Sequence, residues 1–376
     1  MSSKDWQPII NDAFGNRLLV PTDWETFDLT KAEVQVGVMH LVLPGHYAES
    51  WWAHDRQIEI HHSLPTRPDY LFLDQLWFMR DWRFTTRGGP DRWVITAYDL
   101  NYLLDAPGRV VDHAADSAEA SKTDFADDMA KAVVRENLGA LVTDTTRDLS
   151  AYLTVQADFG AAPSISKSFA HKSVLRTLQE ICQSSRENGT YLTFDIPCTV
   201  QPSSGAPFQM EFRTYTGQRG NDHRAPGGSP PVNIGPDFGN LTDVTYSHSA
   251  SKEVTRAIVG GKGVGAARVY ARATDAARVG GSPFGLREAF YDSFQDTTTP
   301  TAEAEALLRA GIPTRRLTGT LSPTSGLIFD VNIGFGDFVT AQVKGQSFDA
   351  HLDQFSVKVE RNGGDNFGIS VKAETA

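Results

Sequence analysis

A glycine-rich run surrounds a lysine in Gly260-Gly-Lys-Gly-Val-Gly265, and this pattern invites a phosphate-binding interpretation. A phosphate-binding loop requires Gly-x-x-x-x-Gly-Lys-Ser/Thr between a strand and a helix, because N–H groups at the helix N-terminus must face the phosphate. Here Gly263 follows Lys262, and Ala267–Arg272 alternates as a strand. The spacing therefore predicts a hairpin turn.

A second group of chemically capable side chains could supply metal ligands: His54, Asp55, Glu59, His61 and His62. His61 and His62 are adjacent, so on a strand their side chains face opposite sides of the sheet. The others would need distant partners that the sequence does not identify. We therefore interpret the segment as a solvated strand and predict no metal site.

A pair of carboxylates, Glu288 and Asp292, invites comparison with glycoside hydrolases. Such an enzyme needs two carboxyl groups facing each other across a cleft, one of them with a raised pKa. Two acidic residues four positions apart are common on exposed surfaces, so we interpret Glu288 as structural. The sequence contains no Gly-x-Ser-x-Gly or His-Glu-x-x-His motif. We predict no catalytic, cofactor-binding or metal-binding residues and a protein that is not an enzyme.

The tryptophans and cysteines also favour structural roles. On a strand, Trp51 and Trp52 would point to opposite faces, so at most one could line a sugar-binding platform. Packing in a core or an interface is the interpretation that we favour. Cys182 and Cys198 are too few for a disulfide framework or a four-cysteine zinc site, and we expect buried thiols in a reducing compartment.

Composition and net charge argue against further classes of function. The chain has 376 residues, 35 Lys or Arg against 46 Asp or Glu, and a net charge of −11. Such an acidic protein is poorly suited to sequence-independent DNA binding, which requires cations to neutralise phosphates. No run approaches the roughly 18 apolar residues of a membrane-spanning helix. The first eleven residues lack the apolar core of a signal peptide, so we expect synthesis in a cytoplasm.

Hydrophobic periodicity predicts β structure in the first hundred residues, which contain all of the tryptophans. Glu33–Leu43 has Val34, Val36, Val38 and Val42 at period two, which predicts one strand with these valines on a single face. Tyr70–Phe84 is expected to bend or to pair within itself, and Trp93–Tyr98 is a further strand after the turn at Gly88-Gly-Pro90. Short strands separated by turns favour a barrel or sandwich.

The middle of the chain is predicted to be mixed. One helix would be capped by Thr123 or Asp124 and bury Phe125, Met129 and Val133. A second helix, from about 170 to 187, would end at Asn188-Gly189. Tyr191–Ile196 and Gln209–Tyr215 are predicted to pair as strands.

The C-terminal part returns to strands after a Gly/Pro-rich loop at 216–240. Strands are predicted at 241–246, 255–259, 267–273, 314–321, 327–333, 338–343, 355–361 and 367–373, with a helix at 301–310 and a hairpin at Asn362-Gly363.

The domains are then an N-terminal arm (1–32), a first β domain (33–105), a mixed α/β domain (106–215) that could return strands to the first, the loop (216–240), and a second β domain (241–376) with a helical excursion near 283–311.

The order and spacing of several short motifs resemble the tail-tip, or baseplate, hub proteins of long-tailed phages, a family also found in gene transfer agents. The motifs are Asn240-Leu241 at a strand start, Gly263-Val-Gly-Ala-Ala-Arg268, Arg287-Glu288 with Asp292, and Gly336-Asp-Phe-Val339. Upstream, Tyr98-Asp-Leu100, Leu103-Leu104 and Arg109-Val110 match the exit from the family's first barrel. The resemblance runs from about Val34 to Val371, but the Trp51–Trp52 and Trp77–Trp82 segments belong to none of these motifs.

This resemblance implies a mainly β virion protein with two barrel domains similar to the tail-tube fold plus a mixed α/β domain. Three copies would form a pseudo-hexameric ring that joins the six-fold tail tube to a three-fold tip and lines the channel for genome ejection. Implied partners are distal tail or tube proteins on one side, tip or central-fibre proteins on the other, and the tape-measure protein, while DNA passes without specific binding. No cofactor is implied. Because the sequence stops at Ala376, we expect any digestion of the cell wall to belong to another tail protein.

Two alternatives remain open at this point. The first is a receptor- or glycan-binding tail module that uses the tryptophan platform. The second is a glycoside hydrolase, acting on the host envelope through Glu288 and a remote carboxylate.

Overall fold

The computed structural model describes residues 5–64, 67–86, 89–105, 109–112, 120–169, 171–202, 208–224, 229–292, 300–322 and 326–373. Strands outnumber helices throughout these residues, so the chain is mainly β, as the sequence predicts. None of the helices in these ranges is both long and apolar enough to cross a membrane. Gly88 of the predicted turn and residues 225–228 of the predicted loop lie outside the described residues.

The N-terminal part consists of successive strands, some of which alternate between buried and more exposed side chains while the strand at 57–64 is buried on both faces. In the strand at 92–98, for example, Trp93, Ile95 and Ala97 are buried and the residues between them are half-buried. The segment 1–32, described above as an arm, already supplies strands of the sheet. The strands are β1 (Trp6–Asn11), β2 (Arg17–Leu19), β3 (Thr26–Ala32), β4 (Val38–Pro44), β5 (Gln57–Leu64), β6 (Arg67–Thr85) and β7 (Arg92–Tyr98).

The predicted strand at Glu33–Leu43 is wrong in its extent and in its buried face. Residues 33–37 form a turn between β3 and β4, with Val34 at a φ of 53°. The buried residues of β4 are Met39, Leu41 and Leu43, whereas Val38 and Val42 are half-buried on the other face. Apolar residues occupy both faces of this strand, so the period-two pattern alone could not identify the face that packs inward.

The segment Tyr70–Phe84 does not pair within itself. It is part of the single long strand β6, whose first half pairs with β5 and whose second half pairs with β7. The predicted bend is present, because Leu73 and Asp74 have φ values of 62° and 53° and the pairing register shifts nearby.

The middle part packs two amphipathic helices against short strands. Its core includes side chains of β6 such as Leu71 and Leu76, which join the N-terminal sheet to it. Its elements are α1 (Tyr102–Asp105), β8 (Ala120–Phe125), α2 (Ala126–Asn137), β9 (Leu153–Val155), β10 (Ser164–Phe169), α3 (Val174–Glu187), β11 (Leu192–Asp195), β12 (Cys198–Val200) and β13 (Gln209–Thr216).

Both predicted helices of this part are confirmed. The helix α3 begins after Ser173, whose side chain accepts a hydrogen bond from Arg176 N, and Gly189 follows it at a φ of 84°. The predicted pairing of β11 with β13 is also confirmed and is antiparallel. The cap predicted for α2 is wrong, because Thr123 and Asp124 lie in β8 and Phe125 is 44% exposed.

The C-terminal part contains a second group of strands and a smaller unit inserted among them. We call residues 250–313 the insert, because they connect two strands that pair with each other, β15 and β19. The elements are β14 (Asn233–Ile234), β15 (Leu241–Ser249), β16 (Arg256–Gly260), β17 (Tyr270–Thr274), α4 (Ala276–Gly280), β18 (Glu288–Asp292), α5 (Pro300–Ala310), β19 (Thr314–Leu321), β20 (Phe338–Val343), β21 (Gln346–Glu360) and β22 (Asp365–Ala373).

The two ends of the chain meet in one sheet. Its strand order is β15-β19-β22-β21-β3-β4-β7-β6-β5-β1-β2, and β14 and β20 pair beside β21. The junction is the antiparallel pairing of β21 with β3, in which Gln354 lies opposite Ala32 and Glu360 opposite Thr26. Side chains from both ends also share one hydrophobic core, in which Phe72 packs against Phe355. N-terminal and C-terminal strands therefore form one continuous layer.

Two details of the C-terminal prediction differ in outcome. The hairpin at Asn362-Gly363 is confirmed, since it joins the antiparallel pair β21 and β22. The strand predicted at 327–333 is wrong, because these residues form turns with a single bridge between Phe329 and Ile333. The division of the chain into two barrel domains stays a prediction.

Candidate functional site

The glycine-rich run lies between β16 and β17, which pair as an antiparallel hairpin, as predicted. Gly263 has a φ of 103°, and a Cβ at this position would lie 2.3 Å from the Ala267 carbonyl oxygen. Arg268 folds back over the loop and donates to the carbonyl oxygens of Gly260 and Gly261 at 3.0 and 3.2 Å. The glycines therefore allow a tight backbone path, and the loop does not lead into a helix that could face a phosphate.

An ion pair joins two of the motifs on which the resemblance rests. Arg268, at the end of the Gly-x-Gly-x-x-Arg motif, pairs with Asp292. Glu288 lies at the other end of β18, where its Oε1 is 3.4 Å from Arg256 Nη1. Both carboxylates considered for glycoside hydrolysis thus face an arginine, which favours a structural interpretation of each.

The histidine segment is divided between two environments. His61 Nε2 is 2.8 Å from Glu59 Oε2 and its Nδ1 is 2.8 Å from Asp69 Oδ1, whereas His62 stacks on Trp6 with ring centroids 3.7 Å apart. His54 lies elsewhere, beside Trp82. The described residues contain no group of three or more His, Cys, Asp or Glu side chains able to hold a metal ion.

These contacts shift the pKa values of the two histidines in opposite directions. Burial lowers the pKa of His62 to about 4, and its buried Nε2 has no hydrogen-bond partner among the described residues. Burial also acts to lower the pKa of His61, but its hydrogen bonds to Glu59 and Asp69 outweigh that effect and raise it. The predicted solvated strand is therefore wrong: Glu59, His61 and His62 are buried in β5, whereas His54 and Asp55 are exposed and precede it.

The adjacent tryptophans do not lie on a strand. The 3₁₀ turn Glu49–Trp51 precedes Trp52, which is 4% exposed and packs against Trp93 with centroids 5.8 Å apart. Trp51 is half-buried against the same core. Because Trp52 is enclosed by the core, the two rings do not form a paired aromatic platform for a sugar.

Both cysteines are buried free thiols. Cys182 lies in the buried stripe of α3, and Cys198 lies in β12. Burial raises the pKa of each thiol to about 12, so both are protonated at neutral pH.

Two further motif residues fix loops of the C-terminal part. The Asn240 side chain accepts from Gly235 N at 2.9 Å and donates to the Asn233 carbonyl oxygen at 2.7 Å. Asp337 accepts from the backbone N–H groups of Gly334 and Asn221 at 2.5 and 2.6 Å. These motifs therefore specify backbone geometry, not chemistry.

A groove of about 440 Å³ crosses the strands β19, β22 and β21. Arg316 lies in this groove and donates to both carboxylate oxygens of Asp353, at 2.9 and 2.6 Å. A third bond, to Ser370 Oγ at 2.6 Å, fixes the same guanidinium. The Arg316 guanidinium in this groove is thus held in a bidentate ion pair with Asp353 of the same chain.

A cluster of buried charges lies where the three parts of the chain meet. Lys31 Nζ is 2.6 Å from Asp99 Oδ2 and 2.9 Å from Asp195 Oδ1, and Arg219 binds the second oxygen of Asp195. We call these four residues the ionic junction. Lys31 belongs to β3, Asp99 follows β7, Asp195 ends β11, and Arg219 lies in the loop that leads to the C-terminal part.

The charges of the ionic junction support one another. Burial acts against the charged form of Lys31, but Asp195 and Asp99 outweigh it and raise the pKa of the ammonium. Burial likewise acts to raise the pKa of Asp195, but Lys31 and Arg219 hold it at about 2. Asp99 is the exception, because burial outweighs the contact with Lys31 and raises the pKa of its carboxyl group.

A second buried charge lies just after β3. The Glu33 carboxylate accepts from Tyr191 Oη, and its Oε2 lies 3.3 Å from both Arg186 Nη2 and His351 Nε2. Burial opposes ionisation, but these partners lower the pKa of Glu33. Sequence reasoning missed both clusters, although Lys31 is in phase with the buried Phe27 and Leu29, which is unusual for a lysine.

Comparison with known proteins identifies the fold. The profile of the Siphovirus ReqiPepy6 Gp37-like protein family matches residues 85–371. A search of curated protein sequences finds no significant match.

Solved structures of three tail proteins are similar over nearly their whole length, each at 12% sequence identity. Prophage tail protein gp18 from Listeria monocytogenes EGD-e has a TM-score of 0.57, covering 98% of this chain and 95% of its own. The 43 kDa tail protein of prophage MuSo2 from Shewanella oneidensis has a TM-score of 0.56, covering 97% and 98%. The tail protein from Neisseria meningitidis MC58 has a TM-score of 0.54, covering 98% and 97%.

At this identity the structural similarity establishes a tail-protein fold, whereas the family match covers most of the sequence itself. The resemblance to phage tail proteins is confirmed. The chain belongs to the Siphovirus ReqiPepy6 Gp37-like protein family.

Proposed function

We propose that this protein is a structural hub of a phage tail tip, or baseplate, and acts in the virion without catalysis. Three copies form a ring that joins the six-fold tail tube to a three-fold tip. The observation that carries the proposal is the tail-protein fold over 98% of the chain. This similarity extends over whole tail proteins. It therefore supports an architectural role for the chain better than a similarity limited to one domain would.

The internal construction suits a part that transmits force. The pairing of β21 with β3 makes N-terminal and C-terminal strands one layer, and the ionic junction attaches the middle part to that layer. Breaking such a layer requires the loss of main-chain hydrogen bonds and of shared core packing together. The subunit would therefore move as one body under load.

In this proposal each subunit supplies two tube-like barrel domains. The first is 33–105 together with the strands that 1–32 adds to it, and the second is 241–376. Three subunits then present six similar domains, which resolves the mismatch between a six-fold tube and a three-fold tip. The mixed segment 106–215 decorates the ring, and the loop 216–240 links it to the second domain. Similar domains within one chain can make equivalent contacts to a six-fold partner.

The proposed ring would also line the route of the genome. A net charge of −11 disfavours adhesion of DNA, because like charges repel and counterion release is not available to drive binding. The proposed neighbours are distal tail or tube proteins on one side, tip or central-fibre proteins on the other, and the tape-measure protein. A map of surface potential on the assembled ring should show an acidic bore, and a basic bore would contradict this part of the proposal.

The first test is the mass of the purified protein in solution. One chain is 41.2 kDa, so a trimer has a mass of three times this value, about 124 kDa. Native mass spectrometry across a range of concentrations should detect the trimer. A species that stays at the monomer mass throughout would contradict the proposed function.

A further inference from the structure

Three residues of the ionic junction are placed so that they could react with one another. Lys31 supplies a primary amine, Asp99 supplies a carboxyl group, and Asp195 supplies a second carboxyl group that contacts the same nitrogen. The exposed fractions of these side chains are 1%, 0% and 2%. An amine and a carboxyl group held together away from water can condense to an amide, whereas excess water prevents this reaction on a protein surface.

The strand register brings the amine and the Asp99 carboxyl group together across a glycine. The pairings of β4 with β3 and with β7 meet at Val38. Continued by one residue, the same register places Lys31 on one side of Gly37 and Asp99 on the other. A Cβ at position 37 would lie 2.9 Å from Asp99 Oδ2. The absence of a side chain at Gly37 therefore leaves the path between the two reacting groups open.

The two carboxyl groups of this site differ in chemical character. Asp195 accepts hydrogen bonds from three donors, the side chains of Lys31, Arg219 and Gln75. All three contacts favour its ionised form. Asp99 Oδ1, in contrast, is buried without a hydrogen-bond partner among the described residues, and burial raises the pKa of this carboxyl group. Asp99 is thus the acid that an amine could attack, and Asp195 is a carboxylate that could relay protons.

A proton transfer from Lys31 to Asp99 would leave the site balanced in charge. Arg219 would still neutralise Asp195, and its guanidinium is enclosed beside Phe335, 4.3 Å from the centre of that ring. The amine and the carboxylic acid would both be uncharged, and burial penalises uncharged groups least. A minor neutral fraction is sufficient, because groups held in contact react as if each were present at about 10⁵ M or more.

We propose that Lys31 and Asp99 condense to form an isopeptide bond, with Asp195 as the proton relay. A bond forms between Lys31 Nζ and Asp99 Cγ, and the bond between this carbon and one carboxyl oxygen breaks. The nitrogen keeps one hydrogen as the amide N–H. Its other two protons pass to the departing oxygen, which leaves as water. No group is oxidised or reduced, so the step requires no co-reactant.

This bond would add a covalent link to the layer that joins the two ends of the chain. It would tie β3, which pairs with β21, to the residue that follows β7, and the linked positions are 68 apart in the sequence. A cross-link between distant positions restricts the unfolded chain and keeps the strands together when other contacts break. The proposal goes beyond the proposed function and does not depend on it.

The test is the mass of the purified full-length chain after denaturation. The wild type should be lighter than its sequence by about 18 Da, the mass of the water that is lost. Trypsin should release 18–56 and 93–109 as one joined product, because it does not cleave after a lysine whose amine is in an amide. The internal control is Lys122 with Glu136, an exposed pair at 2.7 Å, which should stay unlinked in the same digest.

Three variants test the role of each group. Lys31→Arg keeps the cation but should have the full mass of its sequence, because a guanidinium does not condense in this way. Asp99→Asn should form the same bond and lose ammonia, about 17 Da, instead of water. Asp195→Asn should slow formation of the bond about tenfold or more, as expected for the loss of a proton relay. Circular dichroism would verify that each variant is folded.

The wild-type measurement decides the proposal without any variant. A wild type with the full mass of its sequence would overturn it and show that the junction holds an ordinary ion pair. Linkage of Lys31 to Asp195 instead of Asp99 would also overturn it. Both results would leave the proposed function intact, because the mass of the trimer is measured separately on the native protein.

Discussion

The Lys31 ammonium lies 2.6 Å from Asp99 Oδ2, and both side chains are almost completely enclosed by the protein. The two residues are 68 positions apart, and Asp195 completes the contact from a third part of the chain. The ionic junction is thus a property of the assembled fold. Its contribution to stability can be measured directly.

Lys31→Met should strongly destabilise the protein. The substitution keeps an apolar chain of similar length but leaves Asp99 and Asp195 buried without their shared cation. Removing one partner of a buried ion pair costs about 3–5 kcal/mol. The free energy of unfolding, measured by urea denaturation at pH 7, is the readout.

The matched control is Lys122→Met. Lys122 pairs with Glu136 at 2.7 Å, but both side chains contact solvent. An exposed pair contributes about 0–1 kcal/mol. Equal losses in the two variants would show that burial of the junction has no special energetic effect.

Stability should fall as the pH drops from 6.5 towards 4 because of His62. Its pKa is about 4 in the folded chain and 6.5 when unperturbed, so the unfolded state binds the proton more readily. The contribution is complete above pH 6.5 and is lost as the pH falls to about 4. We expect a loss of about 2 kcal/mol once partial screening by solvent is allowed for. His62→Gln should flatten this region of the unfolding free-energy profile, and an unchanged slope would contradict the assignment.

The neighbouring His61 should act in the opposite direction. Its hydrogen bonds to Glu59 and Asp69 raise its pKa above 6.5, so the folded state retains the proton more strongly. Its contribution is complete below pH 6.5 and is lost as the pH rises through the raised value. Denaturation profiles between pH 6 and pH 9 should decline for the wild type and be flatter for His61→Gln. A variant with the same decline would show that other groups are responsible.

Gly235→Ala should disrupt the C-terminal strands. A Cβ at this position would lie 1.9 Å from the Gln342 carbonyl oxygen, which belongs to β20. We expect a loss of about 3 kcal/mol or more, since backbone must move to relieve the overlap. Thermal or urea unfolding of the purified variant gives the value.

Gly345→Ala is the control for backbone conformation. Gly345 also has a positive φ, of 73°, but a Cβ there would meet no atom within 4 Å. Its cost should be only about 1 kcal/mol. Similar losses of unfolding free energy at both positions would show that the effect comes from backbone conformation and not from close packing around Gly235.

Local elements could be predicted from the sequence because their signals are local. The buried stripe of α3 and its end at Gly189 are properties of a single segment, and the Asn362-Gly363 turn specifies a hairpin between its neighbours. The pairing of β21 with β3 carries no such signal. It joins residues more than three hundred positions apart, and only the tertiary fold selects that partner.

The ionic junction was harder to predict for the same reason. Lys31 was visible as a lysine in phase with Phe27 and Leu29, but its partners Asp99 and Asp195 follow other strands. Residues that are neighbours in the sequence misled in the other direction, because they suggested a shared site that the fold does not form. His61 and His62 are adjacent and yet occupy separate environments, because neighbours on a strand face opposite sides.

The most direct test of the account is a cryo-electron microscopy reconstruction of a tail that contains this protein. We predict three copies of the chain at the tip, with six similar β domains around the channel. A tip with a single copy or with six copies of the chain, or one in which the two β domains do not alternate around the channel, would contradict it.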